Sequence, residues 1–162
     1  MKKRATSKER FEAILHECDA HKKRLMQAKD RCAKFFPLSA KTYEELSDEQ
    51  VEHVDQMVYR FTKLQDALGA KLFPSVVSVL REDAASLTVF DVLAELEKAG
   101  AIPNANRWVA TREMRNQLAH DYQDNSDEGS RSLNDLFSAV DELIGTGNQA
   151  TAFVRERVLP SH

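Results

Sequence analysis

Apolar residues recur at intervals of three and four along most of the chain. Phe11, Ile14, Leu15, Cys18, Leu25, Ala28, Cys32 and Phe35 make a first stripe, interrupted by His21-Lys22-Lys23-Arg24. That period marks one face of an α-helix. Ser7 is placed to cap the helix, and Pro37 to end it. Thr42-x-x-Glu45 and Ser47-x-x-Gln50 are successive capping-box patterns, the first opening a short turn and the second a long helix. Val51, Val54, Val58, Phe61, Leu64, Leu68 and Leu72 give the long helix its stripe, and Pro74 must kink or end it. Val76, Val77, Val79 and Leu80 continue as helix, because no hairpin partner follows.

Thr88 caps a further helix through Lys98, closed by Gly100. Pro103-Asn104 opens the next, over about 104–122. Asp124-Asn125-Ser126-Asp127 is a polar loop. A last helix carries Leu133, Leu136, Phe137, Val140, Leu143 and Ile144; Gly145 and Gly147 weaken it, and Phe153, Val154 and Val158 prolong it. Four or five amphipathic helices with short links predict an all-α, antiparallel four- to five-helix bundle with a kinked second long helix. The 162 residues suit one domain, spanning 1–162, with residues 1–6 as a frayed basic tail.

Composition narrows the class. Five Gly and four Pro leave little material for a turn-rich β fold. Cys18 and Cys32 lie fourteen apart on one helix, too far to bridge, and are expected reduced, as in the cytoplasm. No apolar run approaches a membrane span. The net charge of −3 is unevenly spread: residues 1–41 hold 12 Lys and Arg against 5 Asp and Glu, and the rest hold 11 against 21. The basic segment is either a solvated helix face, a contact for a polyanion, or a partner for the acidic remainder. His16, Cys18 and His21 do not make a zinc site, since only Cys18 and His21 share a face and no second pair has zinc-like spacing. No Gly-rich phosphate loop is present.

The helix over 104–122 carries the candidate chemistry. At about 100° per residue, Trp108, Thr111, Met114, Leu118 and Tyr122 share a core-facing side. Arg112, Arg115, Asn116, Ala119 and His120 follow one another along the adjoining arc. A cation, an amide and an imidazole at the edge of a buried stripe are seldom spent on packing. Each also has a plainer use: Arg115 as a salt bridge to a neighbouring helix, Asn116 as a tie between helices, Tyr122 as an aromatic closing the core.

Arg115-Asn116-x-x-x-His120-x-Tyr122 resembles the R-x-x-x-x-H-x-Y signature of the HEPN superfamily, in particular its HepT-type toxins. It also resembles the related substrate-binding partners of minimal nucleotidyltransferases. Arg60-Phe61 and Gly100-Ala101-Ile102 ahead of Trp108 fit the same resemblance, which covers roughly the middle half of the chain. It implies a metal-independent endoribonuclease toxin that needs no cofactor and works as a homodimer on RNA. His120 is then the proton carrier, Arg115 the cation at the phosphate, and Asn116 an orienting amide. The RNA 2′-hydroxyl would be the nucleophile. One His cannot be both acid and base, and two motif helices facing each other across a two-fold axis would supply both. The resemblance further implies a cognate nucleotidyltransferase antitoxin that modifies Tyr122. The alternative it leaves open is a catalytically silent module that binds nucleotide or substrate for such an enzyme.

Overall fold

The structure, a computed structural model, describes residues 5–121 and 125–159, with the side chains of residues 119–121 outside that description. It is all-α. The helices are α1 (Ser7–Cys32), α2 (Ala40–Glu44), α3 (Asp48–Asp66), α4 (Phe73–Leu80), α5 (Val89–Ala99), α6 (Ala105–Asp121) and α7 (Ser126–Phe153). A π-helical turn, Ala67–Leu72, joins α3 to α4, and another, Val154–Val158, prolongs α7. No strand occurs among the described residues.

Local chemistry sets the helix starts. Ser47 with Gln50, and Thr88 with Asp91, form reciprocal capping boxes at α3 and α5, as expected. Gly100 ends α5 at φ 84°, a left-handed conformation that costs glycine little. Two caps differ from the sequence reading. Thr6, not Ser7, caps α1, because Glu9 lies three residues on and returns the bond. Ser39, not Thr42, caps α2, and Thr42 supplies the returning hydroxyl. Helix α1 stops at Cys32, ahead of Pro37.

Pro74 does not end the second long helix. Its ring would strike the carbonyl four residues back, and it has no N–H to donate. The π turn removes the conflict: Phe73 N–H reaches back five residues to the Leu68 carbonyl, and Ser75 Oγ donates to the Lys71 carbonyl at 2.7 Å. Beyond it, Val76 and Val77 are buried, but Val79 and Leu80 face solvent. Gly145 and Gly147 leave α7 unbroken.

Cross-helix pairs show the antiparallel order. Along α1 and α7, Glu12, Lys22 and Lys29 meet Arg155, Asn148 and Asp141. Part of the basic excess of α1 thus meets acid on α7. Helix α6 packs chiefly along α7 and reaches α3 and the π turn through side chains, where Arg115 meets Asp66 and Trp108 lies over Gly69. The core between them holds Leu15, Leu25, Phe61, Leu64, Leu68, Leu96, Leu133 and Leu136, each almost wholly buried. Each such side chain stabilises the fold by roughly 1.5–3 kcal/mol. No helix of the described residues is long and apolar enough to cross a membrane.

Candidate functional site

Helix α6 turns Trp108, Thr111 and Leu118 into the core, as its pattern predicts. Thr111 satisfies its hydroxyl on the Arg107 carbonyl at 2.9 Å. Arg107 forks onto Glu142 of α7 at 2.9 and 2.7 Å, and that bond holds the Glu142 carboxyl below the usual range. These contacts fix the start of α6 against α7.

On the adjoining arc, Arg115 donates to Asp66 of α3 at 2.6 Å, with its side chain 22% exposed. Asp66 is about half exposed, so the pair contributes roughly 0–1 kcal/mol. A phosphate can therefore compete for this guanidinium at small cost. Arg115 also reaches Asn116 Oδ1, at a long 3.5 Å, and Asn116 is otherwise exposed. Arg112, one turn earlier, is exposed and has no partner among the described residues. His120 continues the helix one turn beyond Asn116, but its side chain lies outside the described part. Tyr122 lies outside the described residues altogether.

Arg115 and Arg112 stand at the rim of a cavity of about 340 Å³ between the π turn, α5 and α6. Its walls are apolar: Phe73 and Pro74 on one side, Val92 and Leu93 on another, Trp108 on the third. Trp108 meets Phe73 edge to face with centroids 4.7 Å apart. Gly69 permits this approach, since a Cβ there would lie 3.1 Å from the indole.

The cavity is bordered by Gln65 as well as Asp66, neither of which the sequence reading singles out. Gln65 is 2% exposed, and neither its amide nitrogen nor its amide oxygen has a partner among the described residues. An unsatisfied buried amide costs about 1–3 kcal/mol. Its signal was present in the sequence: Gln65 follows Phe61 by four and precedes Leu68 by three, placing a polar side chain on an apolar stripe.

A second polar group lies on the opposite flank of α3. Arg60 shares a hydrogen bond of 2.9 Å with His21 Nδ1 on α1, and Glu17 lies beyond the other ring nitrogen. Burial, then the Arg60 charge, lowers the His21 pKa. The imidazole is thus taken up by Arg60 and Glu17. Burial pushes the Cys18 thiol up to about 12 and Cys32 to about 11, which makes both poor ligands and nucleophiles at neutral pH. No three metal-ligating side chains cluster among the described residues.

No family model matches the sequence, and no curated protein matches it. Among solved structures, HI0074 from Haemophilus influenzae has the same fold, with a TM-score of 0.64 and 18% identity. The likeness covers 87% of this chain and 98% of that one. The HI0074 structure is described as revealing the fold of a substrate-binding domain of a nucleotidyltransferase. At this identity the likeness establishes the fold, which agrees with the HEPN-type arrangement that the motif implies.

Proposed function

We propose that this chain is a HEPN-type module that acts with a nucleotidyltransferase and holds that enzyme's substrate in the cavity beside α6. The observation that carries the reading is the likeness to HI0074 over nearly the whole of both chains. The cavity supports it, being concave, apolar and edged by two arginines, as small-molecule sites commonly are. Co-expression with a nucleotidyltransferase encoded beside the gene tests it. A stable complex is expected, and Arg112→Glu should lower transfer while the complex persists. Absence of both complex and transfer would overturn the reading.

A second reading is the HepT-like ribonuclease toxin, and the spacing of Arg115, Asn116 and His120 on successive turns of α6 favours it. A base removes the 2′-hydroxyl proton of RNA, the oxygen attacks the adjacent phosphorus, and the 5′-oxygen leaves with a proton from an acid. His120 serves as proton carrier, with its copy in a second chain as the other partner. Arg115 steadies the charged phosphorane once Asp66 yields it. Cleavage should then persist in EDTA, spare DNA and leave a 2′,3′-cyclic phosphate. His120→Ala should cost about 10²–10⁴-fold, and Arg115→Lys should not restore what Arg115→Ala loses. Activity that requires magnesium would remove this reading. Modification of Tyr122 by the partner belongs to the same proposal, and Tyr122→Phe should abolish the added mass.

A further inference from the structure

A second concavity, of about 430 Å³, runs between α1 and α4 and shares no lining residue with the cavity beside α6. We infer that it is a docking groove for an acidic amphipathic helix of a partner protein. This goes beyond both functional readings and rests on neither.

Shape selects a helix. One wall is α1 from Ser7 to Glu17, roughly 15 Å long at the rise of an α-helix. The other runs from Lys71, at the end of the π turn, to Val79 of α4. Ala13, Ser75 and Ser78 on these walls are small, so a third helix axis can come within about 8–10 Å, the spacing of ordinary helix packing. Ser75 and Ser78 donate to the Lys71 and Ser75 carbonyls at 2.7 and 2.8 Å, which spends their hydroxyls on nearby backbone. Phe11 is buried and Ile14 half-buried beneath the groove, while Val79 is 55% exposed on its wall. The groove is open, since Arg10, Ala13, Ser78 and Val79 are all exposed. A fatty-acyl chain lying there would keep much of its surface in water. A helix needs only one stripe covered, at every third or fourth residue, and an open groove covers a stripe.

Arg10 sets the sign of the partner. Lys71 and Glu17 offset each other in the groove, at 2.9 and 2.8 Å. The acids nearest Arg10 in sequence are committed elsewhere: Glu9 closes the capping box of α1, and Glu12 faces Arg155. Arg10 itself has no partner among the described residues. One uncompensated positive charge thus stands beside an apolar strip, and the complementary helix carries Asp or Glu one turn from its apolar anchors. A nucleic-acid strand takes a row of cations along its phosphates, which this groove lacks.

The test is a displayed library of helical peptides, each randomised along one face and panned against the full chain. Affinities of the enriched peptides are then read by fluorescence anisotropy. Enriched sequences should combine apolar residues three or four apart with Asp or Glu. Arg10→Glu should weaken them by about tenfold and shift enrichment toward Lys and Arg. Ser78→Trp, which fills the groove from an exposed position, should weaken them by a similar factor while circular dichroism and melting temperature stay as in wild type. No enrichment, enrichment without acidic residues, or unchanged affinity in folded Ser78→Trp would overturn the assignment. So would tighter, Arg10-dependent binding of a uridine oligonucleotide or of phosphatidylglycerol vesicles, which would give the groove to another class of partner. A wild-type dimer that Arg10→Glu dissociates would also overturn it, because the occupant would then be a second copy of this chain.

Discussion

His21 is held neutral by its surroundings. It sits 13% exposed between α1 and α3, accepts at Nδ1 from Arg60 at 2.9 Å, and has Lys63 as a further nearby cation. Only Glu17 favours its protonated form, and Glu17 is itself committed to Lys71 at 2.8 and 2.9 Å. The folded pKa therefore lies below the ordinary 6.5. Between the two values the unfolded chain binds more protons, so stability falls as pH falls. His21→Gln should keep the melting temperature flatter between pH 7 and pH 5 than wild type. Equal slopes would show that the acid limb belongs to other groups. At this scale the sequence was readable where a residue answers to a pattern. Arg115 was legible as a possible bridge to another helix, and Asp66 proved to be its mate. Gln65 was not, because a lone Gln on a stripe looks like tolerated polarity until the space beside it is known. His21 was likewise named only as the break in a stripe and as a rejected zinc ligand, since its neighbour Arg60 lies 39 residues away.

Elements were more legible, for a physical reason: caps and helical periods are written within four or five residues. Thr88, Gly100 and Ser47 each mark a boundary that the fold keeps. One error arose where two adjacent residues offered the same chemistry, Thr6 and Ser7, and the position of the returning side chain decided between them. The glycines of α7 illustrate what a local pattern omits. All three lie within helix, yet their surroundings differ. A Cβ at Gly145 would meet nothing within 4 Å. A Cβ at Gly129 would lie 2.7 Å from the Tyr43 ring of α2. Gly145→Ala should therefore stabilise by about 0.5–1 kcal/mol, the ordinary helix gain. Gly129→Ala should lose that gain and more, because the Tyr43 ring must shift. Paired denaturation curves check the sign of each, and Gly129→Ala matching Gly145→Ala would mean that Tyr43 moves freely.

For the whole molecule, the open matter is how many chains make a working unit. The ribonuclease reading needs two, since acid and base must come from two copies of His120. Its mass in solution should then be about twice the 18.4 kDa of one chain, measured by light scattering. A stable monomer would leave the substrate-binding reading intact and withdraw the catalytic one. The arrangement of the single chain bears on this. Arg115 is engaged with Asp66 of its own α3, and a pair of this exposure is weak enough to exchange for a phosphate. The same arginine thus serves either reading, and assembly distinguishes them.

The π turn before Pro74 encodes a residue count more than a set of side chains. Six residues there span what a regular helix would cover with fewer, and the extra one is absorbed within the turn. Loss of any one would tighten the turn to α, keep α4 facing as before and bring the Pro74 ring back against the carbonyl four residues earlier. The segment should therefore accept many exchanges of side chain and almost no change of length. In that respect a helix interior behaves as the opposite of a loop.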